Sequence, residues 1–192
     1  MAVTTQSFAT ALRRLAAAAL ALGSVLAVME PTGIASHAQA GSDTALTTGS
    51  VSGLPVPRFV SLKSDRVNVR SGPDKDQDVR WVYTRAGMPV EITAEFENWR
   101  RIRDWEGAEG WVYHSLLSGK RSAVVVPTLK TDLVPLYEKP NANSAEIARL
   151  QSGVLGTLKS CNGSWCEFAG KSFDGWIQQD RLWGAYPNEK LD

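Results

Sequence analysis

The chain has 192 residues, with 21 Lys plus Arg against 20 Asp plus Glu and a formal net charge of +1. A balance this close supplies no long-range field for nucleic acid or an anionic membrane, which argues against a nucleic-acid-binding protein. Cys161 and Cys166 are the only cysteines, and apart from His37 in the first forty residues His114 is the only histidine; one histidine and two cysteines expected to bridge cannot fill a zinc site, and no metal or cofactor is expected.

The first forty residues read as a leader. Arg13 and Arg14 form a basic n-region, the apolar run from Leu15 to Val28 follows, and Pro31 and Gly33 break it. Ala38-Gln39-Ala40 then offers small residues for cleavage before Gly41, the order of parts in a secretory signal peptide. The apolar run is shorter than the roughly 20 residues a spanning helix needs. The expectation is a signal peptide over 1–40, no stable membrane anchor after cleavage, and a periplasmic or secreted destination. Without Arg13, Arg14 and Glu30 the mature chain holds 19 basic and 19 acidic residues. Residues 41–57, rich in Gly, Ser, Thr and Pro and lacking apolar periodicity, predict a disordered linker.

Beyond the linker the chain repeats. Ser61-Leu62-Lys63-Ser64-Asp65-Arg66-Val67 matches Thr128-Leu129-Lys130-Thr131-Asp132-Leu133-Val134, and Pro73 matches Pro140, at an offset of 67. Gly87 matches Gly153 and Trp99 matches Trp165 at 66, while Gly110-Trp111 matches Gly175-Trp176 and Leu117 matches Leu182 at 65. Two single-residue deletions in loops account for the drift. The repeat sets one domain at 58–119, a short linker at 120–124, and a second domain with a C-terminal tail at 125–192.

Each unit reads as short strands. Val90, Ile92, Ala94 and Phe96 alternate with Glu91, Thr93 and Glu95, the period of a half-buried strand. Arg66 to Arg70 alternates likewise and stops at the turn signal Ser71-Gly72-Pro73-Asp74. Trp81 to Thr84 is β-prone, Glu97-Asn98 can turn a hairpin into Trp99–Arg103, and Glu106-Gly107-Ala108 can turn the next into Gly110–Tyr113. The second unit offers strands over 146–151, 154–161, 164–169 and 174–178, with a 3₁₀ turn over 180–182. Several short strands in sixty residues, with no helical periodicity, predict an all-β chain of two tandem small β-barrels.

Val67-Asn68-Val69-Arg70-Ser71-Gly72-Pro73, Asn98-Trp99 and Glu109-Gly110-Trp111-Val112 resemble the motifs of bacterial SH3-like (SH3b) domains. The second unit keeps Trp165, Gly175-Trp176 and Leu182 but has Pro135 to Pro140 where the opening motif belongs. The resemblance implies a non-enzymatic module of exported bacterial proteins, with cell-wall peptide or an envelope protein as partner. A scaffold or regulatory subunit of an envelope enzyme is the alternative, and a cell-wall hydrolase the outside one. Fold alone does not license recognition of proline-rich peptides.

Catalysis finds little support. A thiol hydrolase needs a thiolate beside a histidine base, yet His114 is the one histidine of the mature chain and both cysteines flank the hairpin signal Asn162-Gly163-Ser164-Trp165. Residues either side of such a loop can face each other, and an oxidising compartment favours a bridge, so Cys161–Cys166 is expected as a disulfide. Strict alternation puts Cys166 with Phe168 on the core face but sets Cys161 opposite to Leu158, so a bulge is required between them.

Aromatic and basic residues concentrate in Glu95 to Leu117. Gly110-Trp111 and Gly175-Trp176 recur in both units, so they read as architecture: the glycine admits a close backbone and the indole packs on the barrel. Arg100, Arg101, Arg103, Trp105, Tyr113 and His114 do not recur, and with Trp99 they form the candidate ligand face. Trp99, Arg101 and Arg103 would share one strand face, suited to stacking and anion binding. The competing reading pairs these arginines with Glu91 or Glu95 across the hairpin. Thiol titration of the native, unreduced protein is expected to find no free thiol, and two only after reduction.

Overall fold

Residues 47–126 and 133–192 are described by a computed structural model of the chain. The leader read over 1–40 and the repeat residues 128–132 fall outside them. The first barrel comprises β3 (Arg58–Leu62), β4 (Val67–Arg70), β5 (Val79–Tyr83), β6 (Pro89–Phe96), β7 (Trp99–Arg103), β8 (Glu109–Tyr113) and β9 (Leu117–Ser118), preceded by β1 (Thr47–Thr48) and β2 (Pro55–Val56). A 3₁₀ turn, His114–Leu116, joins β8 to β9. The second barrel comprises β10 (Ser122–Val125), β11 (Val134–Tyr137), β12 (Glu146–Leu150), β13 (Leu155–Asn162), β14 (Trp165–Ala169), β15 (Asp174–Gln178), β16 (Leu182–Trp183) and β17 (Lys190–Leu191). Its 3₁₀ turn is Gln179–Arg181.

The repeat is exact in topology. The first sheet runs β5-β4-β8-β7-β6-β3-β9 and the second β12-β11-β15-β14-β13-β10-β16, each strand in the place of its counterpart. Alternate residues turn inward. Val67, Val69, Val90, Ile92, Ile102 and Val112 make the first core, and Leu136, Leu158, Cys166, Phe168 and Ile177 belong to the second. A Cβ at Gly110 would collide with Val69 Cγ1 and sit 3.0 Å from Arg70 O, and one at Gly175 would sit 2.7 Å from Tyr137 O. The Gly-Trp positions therefore exist so that β4 and β11 can pass close by.

Cys161 and Cys166 are disulfide-bonded and paired across the β13–β14 ladder, and the register shifts between Leu158 and Ser160. That is the bulge the alternation required. It turns both sulfurs into the core, where the two residues are buried.

Two boundaries differ from the sequence reading. Within the stretch read as a disordered linker, 47–56 forms a hairpin, β1 pairing with β2. Val56 is the one buried residue of its two short strands, too little apolar pattern for composition to reveal it. A carboxylate holds it: Glu95 accepts hydrogen bonds from Val51 N–H (3.2 Å), Ser52 N–H (2.9 Å) and Ser52 Oγ (2.6 Å). The same side chain, 1% exposed, pairs with Arg58 at 2.7 Å and Arg100 at 3.3 Å. Burial opposes its charge, but the donors from Ser52, Arg58 and Val51 outweigh burial and lower its pKa from 4.5 to about 2. Second, the 120–124 linker contains most of β10, which pairs with β13 and β16. Ser122 to Val125 are all buried. Ala123 and Val125 enter the second core, while β10 also packs against β6 of the first barrel.

The barrels meet along a seam. Phe59, on the outward face of β3, lies 5.1 Å from the Trp183 ring and 4.6 Å from the Tyr186 ring. Tyr186 donates its hydroxyl to Glu91 Oε1 at 2.9 Å, and Arg103 pairs with the other oxygen. Arg121 binds the Glu189 carboxylate at 2.7 and 2.9 Å and donates to Gly184 O at 2.7 Å.

Two outcomes are expected. Glu95 has a depressed folded-state pKa, so its contribution is complete above about pH 4.5 and is lost as pH falls towards about 2. Stability measured against pH should fall across that window, and Glu95→Gln should flatten the fall while lowering stability at neutral pH. Gly110→Ala should cost about 1–3 kcal/mol in denaturant unfolding, the usual cost of overpacking.

Candidate functional site

The register of the β7–β8 hairpin sets Trp99 opposite Tyr113. Their rings meet edge to face at 5.4 Å, and the His114 ring lies 5.1 Å from that of Tyr113. Tyr113 keeps 38% of its surface exposed, an aromatic face left in water beside two others. β8 lies between β7 and β4 in the sheet. Val67 and Val69 of β4 turn into the core, so Asn68 and Arg70 turn outward on the same side as Trp99 and Tyr113. Together with Arg66, Lys75 and Leu116 these residues line a groove of 420 Å³.

The groove is cationic. Arg58, Arg100, Arg101 and Arg103 of this barrel are engaged in ion pairs, whereas Arg66, Arg70 and Lys75 enter none among the described residues. Arg70 is held in place by donating to Gln77 O at 2.6 Å. The neighbouring loop carries Asp74, Asp76 and Asp78, but none of them lines the groove, and Asp74 Oδ1 accepts from Asp76 N–H at 2.8 Å. Three cations beside two aromatic rings suit a ligand that offers a carboxylate and an apolar or planar body.

The structure divides the residues singled out by sequence. Trp99, Tyr113 and His114 come together. Arg100 does not join them: it is 7% exposed, and besides Glu95 its guanidinium donates to the carbonyls of Glu97 and Trp99 at 2.9 and 2.8 Å. Arg101 is exposed but pairs with Glu109 at 2.5 Å. Arg103 pairs with Glu91 at the seam, as the competing reading had it, and Trp105 sits in the turn beyond the far end of β7. Glu95 serves Arg58, Arg100 and the β1–β2 hairpin rather than Arg101 or Arg103.

Sequence reasoning missed Arg66, Asn68, Arg70 and Lys75, because the search for a ligand face was confined to Glu95 to Leu117 and Val67 to Pro73 served only to mark the resemblance. The signal was present. At the offset of 67, Arg66, Arg70 and Lys75 fall on Leu133, Tyr137 and Ala142. The ladder confirms the alignment, since Arg70 pairs with Trp111 and Tyr137 with Trp176. In the second barrel Tyr137 packs edge to face on Trp165 at 5.4 Å, so an aromatic stands where the first barrel has a guanidinium.

Two small barrels of identical strand order, joined in one chain, define a tandem SH3-like protein. The chain belongs to the bacterial SH3 domain family, whose model matches residues 63–119 and 130–184. No curated protein matches the chain. Among solved structures, NlpC2 from Trichomonas vaginalis is 14% identical, with 66% of this chain and 48% of that chain covered and a TM-score of 0.30. An NlpC/P60 family protein from Bacillus cereus is 10% identical, with 65% and 55% covered and a TM-score of 0.29. The structure titled endolysin LysPBC5 CBD is 16% identical, with 65% and 90% covered and a TM-score of 0.27. The chain spans about half the length of the first two. At TM-scores this low, neither the detail of the fold nor the function is carried over from them.

Proposed function

We propose that the protein is an exported, non-catalytic binding module that holds carboxylate-bearing cell-wall peptide in the groove of its first barrel. The observation that carries this is the placement of Arg66, Arg70 and Lys75 around Trp99 and Tyr113, with none of the three cations engaged in an ion pair among the described residues. A peptide carboxylate would sit among the cations, and its side chains or backbone would lie on the two rings. Membership of the bacterial SH3 family supports a binding role, and the Cys161–Cys166 disulfide supports an oxidising compartment, periplasmic or extracellular. The second barrel lacks the cations and acts as support for the first.

Co-sedimentation with purified peptidoglycan tests the reading, alongside titration with a soluble tetrapeptide bearing a free carboxylate. The wild type should pellet with the wall. Arg66→Gln combined with Lys75→Gln should weaken binding about tenfold, the scale of two exposed charge contacts, and leave the melting temperature unchanged. Arg101→Ala should bind as the wild type does. A wild type that stays in the supernatant, or a double variant that pellets equally, overturns it.

A further inference from the structure

The groove of the first barrel does not end at β4. Arg66 also lines a neighbouring pocket, of 430 Å³, together with Asp65, Val82 and Thr84. The register of the sheet joins the two. Trp99 pairs with Tyr113, and Arg70 pairs with Trp111, so the same antiparallel register sets Asn68 beside Tyr113 two residues on. On its other side Asn68 pairs with Val82. Val82 faces outward, because Trp81 and Tyr83 on either side of it pack against the core. Trp99, Tyr113, Asn68 and Val82 thus form one outward line across β7, β8, β4 and β5. With neighbouring strands about 4.8 Å apart, the line is about 14 Å long, the reach of about four residues of extended peptide.

The order of chemistry along this line limits what can fill it. Arg66 and Arg70 stand two positions either side of Asn68, about 7 Å away along the strand. Lys75 joins them in the lining. The positive charge therefore sits at the middle of the line. Trp99 and Tyr113 lie at one end, and Val82, 37% exposed, lies at the other. Asn68 is exposed and has no hydrogen-bond partner among the described residues, which leaves its carboxamide free to meet a peptide unit with an acceptor and two donors. Asp65 is likewise exposed and unpaired among the described residues, so a second anion beside Val82 would meet a like charge.

A chain that stops at its carboxylate fills the line on one side of the cations and leaves Val82 in water. A chain that continues past its carboxylate covers both apolar ends. We propose that the first barrel recognises an internal acidic residue, with its side-chain carboxylate among Arg66, Arg70 and Lys75. Neutral peptide runs on from it in both directions, over Trp99 and Tyr113 one way and over Val82 and Thr84 the other. This rests on the carboxylate reading of the groove and adds where in the ligand the charge must stand.

Two pentapeptides of equal length and charge test it by calorimetric titration of the full chain. N-acetyl-Ala-Val-Glu-Val-Ala-amide carries its one carboxylate internally, and N-acetyl-Ala-Val-Gln-Val-Ala carries its one carboxylate at the C-terminus. The internal acid should bind about fivefold more tightly, the scale of covering a partly exposed valine. Val82→Ser, at an exposed position, should remove that advantage and leave the affinity for the end-carboxylate peptide as it was. Arg66→Gln with Lys75→Gln should weaken both peptides. Equal or tighter binding of the end-carboxylate peptide overturns the proposal and leaves the carboxylate reading standing, as does an advantage that survives Val82→Ser. Binding of neither peptide overturns both.

Discussion

Glu91 stands on the outward face of β6, where a lone barrel would leave it in water, yet it is 3% exposed. A carboxylate so placed must be partnered, because burying an uncompensated charge costs several kcal/mol. Its partners come from both barrels: Arg103 from the first and the Tyr186 hydroxyl from the second. Burial first, and then the charge of Glu91, hold the Tyr186 proton in place by raising its pKa. Around this point Phe59, Trp183 and Arg121 close the apolar and ionic contacts that make one body of two small folds. Barrels of sixty residues bury little surface alone. Joined, they cover each other's outward strands β3 and β10.

That arrangement explains which parts of the fold were legible. Strand alternation and the drifting offset give the barrel count, the position of most strands in the chain, and even the bulge beside Cys161, because each follows from which residues must face a core. The limits of the second barrel were misplaced because β10 is buried on both faces. Ser122, Ala123, Val124 and Val125 show no alternation, so a fully covered strand resembles a short apolar connector. The β1–β2 hairpin was invisible for the opposite reason. It is held by donors pointing at one carboxylate, and hydrogen-bond geometry of that kind leaves no hydrophobic period to read.

The candidate site was half legible. Tyr113 and His114 were identified by asking which residues of the first unit do not recur in the second, and Trp99, which does recur, by the strand face it would share with Arg101 and Arg103. The same question put to the opening motif would have exposed Arg66, Arg70 and Lys75, set against Leu133, Tyr137 and Ala142. That stretch was used only for its resemblance to a familiar motif, yet Arg70 belongs to the motif and also lines the groove. For Arg100, alternation was informative from the start: it shares the inward phase of β7 with Ile102, and the structure spends it on Glu95.

The pairing of first and last strands has a further consequence. β3 lies beside β9 and β10 beside β16, so the chain enters and leaves each barrel on neighbouring strands. Only residues 119–121 separate β9 from β10. A unit with adjacent ends can be copied head to tail without rerouting anything, which is how a linear array grows. After β16 the chain turns back on the second barrel: Arg121 grips Glu189, and β17 docks beside β13.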